Sequence, residues 1–314
     1  MVRGTKMKKT VLVTGVAGFI GRYVTRYFAD QGWQVVGVDN HPPENVALAN
    51  LTAYHRCHLP STEFPSILQT AQPQVCIHCA GRASVGLSIT DPSADFYAST
   101  AVTFEVLNAL RLYAPSCRFL FLSSAAVYGS PTVLPISEEV SPYPISPYGF
   151  HKWQGEQLCQ EFTQVYGVPT ASVRIFSAYG PGLRRQVLWD ICQKALTQSH
   201  LALQGTGEES RDFIHALDIA QALYLLATIA PMHGEVYNLG TGSELTIAHL
   251  TNLLLKTLGC GKIPDFDGII PLGTPKNWRA DISKLQALGF EAKVPIEKGI
   301  ETFAHWCRAE LVGV

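Results

Sequence analysis

The segment Val13-Thr-Gly-Val-Ala-Gly-Phe-Ile-Gly21 follows directly on the apolar run Thr10 to Val13, and a strand, a tight glycine turn and a helix start accommodate it. Such a unit offers backbone N–H groups and the positive end of a helix dipole to a pyrophosphate. The helix is expected from about Ile20 to Gln31, closed by Gly32 as its C-terminal glycine. Apolar strand-like runs recur at Val11 to Thr14, Gln34 to Val38, Val75 to His78, Arg118 to Leu122 and Thr170 to Ile175, separated by segments of helical spacing such as Tyr97 to Leu112. That alternation predicts an α/β fold, a Rossmann-type doubly wound parallel sheet wrapped by helices.

Beyond Gly180 the alternation gives way to helices, short strands and loops, with one strand-like return at Glu235 to Leu239. The expected organisation is a dinucleotide-binding Rossmann domain over 8–178 with a returning segment near 212–240, and a smaller C-terminal α/β substrate lobe over 179–211 and 241–314. The stretch between Gly129 and Pro147, rich in Pro and Ser, reads as a surface loop before a helix from Tyr148 to Tyr166.

At 314 residues and 47% hydrophobic content, the chain can bury one large core or two modest ones. A formal charge of −1 without a long basic run gives no electrostatic support for a nucleic-acid or membrane-surface partner. The basic opening Met1 to Lys9 resembles a signal n-region, but the apolar stretch behind it is interrupted by three glycines. The expectation is a cytoplasmic protein with no targeting signal and no bilayer span. Eight cysteines are scattered through mostly apolar segments and read as reduced, buried thiols. Cys76 and Cys79 form a C-x-x-C, but it lies in a short apolar run with no second ligand pair, so no metal is expected.

Gly15, Gly18 and Gly21 have G-x-x-G-x-x-G spacing, and Asp39 ends the second strand eighteen residues after Gly21. A carboxylate there accepts hydrogen bonds from both hydroxyls of an adenosine ribose and repels a 2′-phosphate. The following Asn40-His-Pro-Pro supplies no arginine to neutralise one, so NAD is preferred to NADP. Tyr148 and Lys152 stand one helical turn apart and can face the same ligand. A phenol of pKa near ~10 is a poor base at neutral pH; an ammonium and a cationic nicotinamide nearby bring it toward working range. Ser124, at the end of a predicted strand, is placed to bond the reacting oxygen, whereas alternation turns Ser123 the other way.

With these motifs in order, the chain resembles the extended short-chain dehydrogenases/reductases of the NAD-dependent epimerase/dehydratase family, sugar-nucleotide enzymes typified by UDP-galactose 4-epimerase. The resemblance runs through Thr14 to Gly21, Asp39-Asn40, His78 to Gly81 with Val85 to Ser88, Ser123 to Gly129, Ser146 to Lys152, Tyr179 to Pro181, Arg211 to His215, Asn238 to Gly242 and Ala280 to Lys284. It implies Ser124, Tyr148 and Lys152 as the catalytic triad. It implies an NAD site of Gly15, Gly18, Phe19, Ile20, Gly21, Asp39, Asn40, His58, Leu59, Cys79, Ala80 and Gly81, with Tyr148 and Lys152. For a nucleotide-diphosphate sugar substrate it implies Ser84, Ser124, Ser177, Arg184, Arg211 and Arg279, and it implies a homodimer packed through the Tyr148 helix and the helix from about Asp95 to Leu112.

Several positions depart from the family pattern. Ala126 and Ala125 stand where dehydratases and decarboxylases carry acids, which argues against elimination of water. Ser177, Ser99 and Ala83 replace an Asn, an Asn and a Lys; Pro271 replaces an arginine, for which Lys276 or Arg279 is the substitute; His58 replaces an Asp and His151 a Ser or Thr. Helix spacing places His151 at a cleft edge, turned away from Lys152. The expected activity is NAD-dependent nucleotide-sugar epimerisation at C4 through a transient 4-keto intermediate. The alternative is a nucleotide-sugar ketoreductase or dehydrogenase using NAD(P), and a non-catalytic dinucleotide sensor ranks last because the triad is intact.

Overall fold

The computed structural model describes residues 9–270 and 273–313; Met1 to Lys8 of the basic opening, and Pro271, lie outside the described residues. In chain order the strands are β1 (Thr10–Thr14), β2 (Gln34–Asp39), β3 (Ala53–Arg56), β4 (Val75–His78), β5 (Arg118–Ser124), β6 (Thr170–Ile175), β7 (Ser177–Tyr179), β8 (Leu201–Leu203), β9 (Ser210–Arg211), β10 (Phe213–His215), β11 (His233–Leu239), β12 (Leu245–Thr246) and β13 (Pro264–Phe266). The helices are α1 (Phe19–Asp30), α2 (Phe64–Ala71), α3 (Val85–Thr90), α4 (Pro92–Phe96), α5 (Val102–Tyr113), α6 (Pro147–Tyr166), α7 (Gln186–Thr197), α8 (Ala216–Ile229), α9 (Ile247–Thr257), α10 (Ser283–Gln286) and α11 (Ile296–Val312).

The main sheet has seven strands in the order β11-β6-β5-β4-β1-β2-β3. Pairing is parallel from β3 through β2, β1 and β4 to β5. Strands covered on both faces need continuous apolar runs, and β1 is buried at every residue. The strand order reverses between β1 and β4, so in sheets of this kind the ligand crevice lies at their carboxyl ends.

The chain divides into two compact units. The first comprises residues up to Ser123, His151–Val173 and Ala220–Val236, and carries most of this sheet. Its core joins Leu12, Cys76 and Phe119 of the strands to Leu68, Leu107 and Phe162 of the helices. Cys76, Cys117 and Cys159 are buried here as free thiols, and burial pushes all three up, that of Cys159 to about 12.

Two features of this unit depart from the sequence expectation. β3, four residues long and half-exposed at the sheet edge, is absent from the predicted strands because its Ala53-Tyr-His-Arg56 sequence carries no apolar run. The helical run around Tyr97 to Leu112 is not continuous: a π-type turn, Tyr97–Ala101, separates α4 from α5. There Thr103 Oγ1 donates to Ser99 O at 2.7 Å, a side-chain bond that local spacing does not reveal.

The second unit comprises Ser124–Phe150, Arg174–Ile219 and the chain from Tyr237 on. Helices α7, α9 and α11 pack on one another, and three two-stranded pairs, β7 with β10, β9 with β12 and β8 with β13, complete it. The stretch between Gly129 and Pro147 is more than a surface loop. Ile136 is fully buried, its N–H donates to Arg279 O at 2.8 Å, and its carbonyl accepts the Asp281 N–H at 2.8 Å. An apolar side chain with two backbone bonds thus sews this segment to residues 279–281. Among the described residues no helix is long and apolar enough to cross a membrane.

Candidate active site

In the first unit the glycine turn is shaped by what cannot fit. Gly15 has φ +68°, and a Cβ on it would lie 2.6 Å from Ala80 N; a Cβ on Gly21 would run into the carbonyl of Gly15. α1 begins at Phe19 with Gly18 as its N-cap and no side chain capping it. Its first-turn N–H groups lack intrahelical partners and are offered to an anion.

Asp39 closes the other side of this turn. It is buried at the end of β2, and its Oδ2 accepts the Ala17 N–H at 2.8 Å. Its Oδ1 accepts the His41 N–H at 3.2 Å and lies 2.6 Å from His41 Nδ1. The unread strand β3 brings Arg56 into register with Asp39, and Arg56 Nε donates to Asn40 O at 3.3 Å. A guanidinium therefore does stand at this strand end, correcting the expectation drawn from Asn40-His-Pro-Pro alone. The uncapped helix start, the turn with no room for Cβ atoms and the strand-end carboxylate together fit a dinucleotide, the first two at its pyrophosphate and the third at a ribose. His58 is exposed and Leu59 half-buried beyond β3, and Cys79 and Ala80 are half-buried beyond β4.

Behind the turn, His78 is a core residue. Its Nδ1 lies 2.7 Å from Thr14 Oγ1, which also accepts the Ala80 N–H at 3.3 Å, and its ring stacks on Phe121. Burial first, then the Lys152 charge, push it down to about 3, so it is neutral. Lys152 Nζ donates to Leu122 O at 2.8 Å and sits 5.0 Å from the centre of the Phe121 ring. Burial lowers the ammonium to about 8, opposed by Asp95, Cys79 and Glu156. Gly155, one turn of α6 farther on, has no room for a Cβ against Phe121, so the helix lies directly on that ring. Ser123 is buried, its Oγ donating to Glu156 Oε1 at 2.5 Å.

In the second unit, Ser124 is half-buried and its Oγ accepts the Ala126 N–H at 3.2 Å, capping a 3-10 turn over Ala125–Tyr128. Ser146 Oγ accepts the Gly149 N–H at 3.2 Å, and Pro147 starts α6 with its φ already helical. A Cβ on Gly149 would lie 2.6 Å from Ala126 O. The first turn of α6, with half-buried Tyr148, is thus closed against the turn that follows Ser124. Lys152 stands one turn farther along the same helix.

The expected substrate residues are spread over both units. Ser84, in the first, caps α3 by accepting the Leu87 N–H at 3.2 Å. In the second, Arg211 lines a cavity of about 320 Å³ with Gln186, Asp190, Leu203, Gly205 and Glu209. Its guanidinium donates to Ser210 O, Lys276 O and Pro275 O and lies 5.5 Å from the Trp278 ring centre. Among the described residues, Nε–H and one Nη2–H have no partner and are available to a ligand. Ser177 donates its N–H to Asp212 O, and Arg279 is half-buried with no partner for Nε among the described residues. Arg184 instead pairs with Glu310 at 2.5 Å and lies over Trp306.

Sequence reasoning passed over Asp212, which is wholly buried. Its carboxylate accepts the Thr241 N–H and Oγ1–H, the Gly242 N–H and the Ala280 N–H. Its only sequence signal is its place next to Arg211. His151 corrects a second expectation. It is buried rather than at an edge, with Nδ1 2.6 Å from Asp95 Oδ2.

The model of the family described as "NAD dependent epimerase/dehydratase family" matches residues 11–240. UDP-glucose 4-epimerase of Halalkalibacterium halodurans is 28% identical over 318 residues, covering 94% of this chain and 95% of that protein. The crystal structure of UDP-glucose 4-epimerase from Thermotoga maritima with UDP-glucose superposes with a TM-score of 0.88 at 28% identity, over 96% of this chain and 99% of that one. UDP-glucuronic acid 4-epimerase from Bacillus cereus, in complex with UDP-glucuronic acid and NAD, gives a TM-score of 0.88 at 26% identity, over 96% and 99% of the two chains. Strand order, glycine turn and sequence match converge, and the chain belongs to the NAD-dependent epimerase/dehydratase family.

Proposed function

We propose that the protein is an NAD-dependent epimerase of nucleotide-diphosphate sugars that inverts C4 through a transient 4-keto sugar. The observation that carries this reading is the placement of Tyr148 on the first turn of α6, closed against the turn after Ser124, with Lys152 one turn along the same helix. When bound, NAD supplies a reversible hydride acceptor. Tyr148 takes the C4 hydroxyl proton, and Ser124 Oγ hydrogen-bonds the same oxygen as it becomes a carbonyl. Lys152 holds positive charge toward the phenolate and lowers the energy of that form. Once the ketose has turned over, Tyr148 gives the proton back to the same oxygen, so the residues end the cycle as they began it and there is no net redox change.

In this reading the first unit binds NAD and the second binds substrate. Asp39 accepts the ribose hydroxyls, and its charge excludes a 2′-phosphate even with Arg56 at hand. Arg211 meets the diphosphate with its two remaining N–H groups, joined by Arg279 Nε, whereas Arg184, already engaged by Glu310, is the weaker candidate. Ala125 and Ala126 supply no acid for loss of water, which favours epimerisation over dehydration. Exposed Tyr97, Phe104, Leu112, Val165 and Tyr166 support a homodimer through the α5 and α6 faces, checked by light scattering of the eluting protein. A cytoplasmic location accords with the buried free thiols.

The deciding experiment is NMR of the purified protein with a panel of UDP-, dTDP-, GDP- and CDP-sugars and no added cofactor. The UDP-sugars of the relatives come first. Inversion at C4 is expected; turnover only with added reduced cofactor and a keto-sugar nucleotide would replace the epimerase with a ketoreductase.

A further inference from the structure

Left-handed backbone at a residue other than glycine persists only where the surrounding structure over-determines it. Gln186 has φ +67°, at the first position of α7 and on the edge of the cavity that Arg211 lines. Unlike Asn or Asp, Gln has no short polar side chain to support that conformation locally. Its side chain is exposed, so no packing around it imposes the conformation either. The restraint lies in the chain on either side, all of it within the second unit.

After Gln186, Leu188, Ile191 and Cys192 of α7 are buried, and the helix packs on α9 and α11. Before it, Leu183 is buried and its N–H donates to Gly180 O at 3.2 Å. Arg184 then reaches α11: its Nε and Nη2 both donate to Glu310 Oε2, at 3.1 and 2.5 Å, and its guanidinium lies 5.7 Å from the Trp306 ring centre. The Trp306 ring in turn meets that of Trp189 on α7 at 5.4 Å and that of Phe303 at 5.5 Å. The chain is therefore pinned to α11 at Arg184 and held in α7 from Leu188 on. Arg185 between them is extended, with φ −163°, and the change of direction is taken up at Gln186.

We propose that Arg184 and Glu310 are positioning residues for nucleotide binding: the pair, seated on Trp306, holds Gln186 in its left-handed form and so sets the α7 edge of the cavity, without Arg184 itself touching the ligand. This rests on the reading of that cavity as the place where Arg211 meets the diphosphate. Val187, Asp190 and Ile191, which follow Gln186 on α7, line the same cavity, so a shift at the joint moves that wall. An exposed ion pair is weak alone, but this one makes two bonds to a single carboxylate oxygen and has an aromatic seat. It has only one unfavourable dihedral to hold, a task of the same small size.

The test is calorimetric binding of UDP, dTDP and GDP to the NAD-loaded protein, beside amide hydrogen exchange of residues 184–191 without nucleotide. Arg184→Met and Glu310→Gln are each expected to weaken binding of the nucleotide that the parent takes by about three- to fivefold, the scale of an exposed pair, and to speed exchange by a similar factor. In a Gln186→Gly background the left-handed form is open to the chain without strain, so the loss caused by Arg184→Met should shrink to about half or less. A direct contact between Arg184 and phosphate predicts the reverse for Glu310→Gln, because the freed guanidinium would tighten binding. Tighter or unchanged binding in Glu310→Gln, or a loss from Arg184→Met that is undiminished in the Gln186→Gly background, would overturn the proposal. A parent that binds none of these nucleotides sinks the reading of the cavity instead; the exchange rates then decide the anchor, and unchanged rates in both single variants overturn it.

Discussion

The backbone N–H of Ala17 donates to Asp39 Oδ2 at 2.8 Å, so the carboxylate that ends β2 also holds the glycine turn that follows β1. Asp39→Asn keeps an oxygen for Ala17 but loses the charge. We expect NAD affinity to fall about tenfold or more, the scale of a hydrogen bond to a charged group. Discrimination against NADP should narrow in the same variant, because Arg56 remains beside the site. Calorimetric titration with both cofactors measures the ratio; an unchanged ratio would remove Asp39 from the ribose.

The glycines of the turn and of the helix end are expected to differ in what they tolerate. Gly21→Ala drives a methyl into the Gly15 carbonyl and should destabilise the protein by about 3 kcal/mol, with loss of NAD binding. Gly32 also lies at positive φ, +79°, but a Cβ there meets nothing. Gly32→Ala should cost only about 1 kcal/mol of backbone strain and leave cofactor affinity alone. Urea unfolding of the two variants gives the comparison.

Lys152→Met should abolish turnover and stabilise the fold. Burial lowers the folded-state pKa of this lysine to about 8, below its unfolded value, so the unfolded chain binds the extra proton and stability rises with pH between the two values. The penalty is therefore fully present below about 8. At pH 7 the methionine variant should be more stable by about 1–3 kcal/mol, with the gain shrinking as pH rises toward 10. Denaturation midpoints at pH 7 and 10 test the sign; equal stability at both would mean that the ammonium is better solvated than its burial implies.

Asp212→Ala should remove the anchor of the strand that carries Arg211. Its carboxylate accepts from Thr241, Gly242 and Ala280, and buried donors left unpaired cost about 1–3 kcal/mol each, without simple additivity. We expect a loss of about 3–5 kcal/mol in stability and a rise in the KM for the nucleotide sugar. A normal KM in folded protein would show that Arg211 is held by the Pro275 and Lys276 carbonyls alone.

The parts of this protein legible in its sequence are those specified locally. The runs that became β1 and β4 are largely apolar because both faces of a parallel strand are covered, and α1 shows its glycine turn and its closing Gly32. What escaped reading is specified at long range. Arg56 reaches Asp39 only through an edge strand without an apolar signature, and Asp95 meets His151 across 56 residues of chain. Gly155 looks like a weak point in a helix until the Phe121 ring is seen to fill the place of its side chain.

Three stretches of chain far apart in sequence, at residues 212, 241–242 and 280, converge on the one carboxylate of Asp212. The segments between them are suspended from that junction, including part of the wall around the cavity that Arg211 lines. Changes in their side chains that spare the donors at 241, 242 and 280 leave the hydrogen bonds of the junction in place. The shape of the cavity wall at Ile247, Ile270 and Thr274 is thereby separable from the position of Arg211, which the junction fixes.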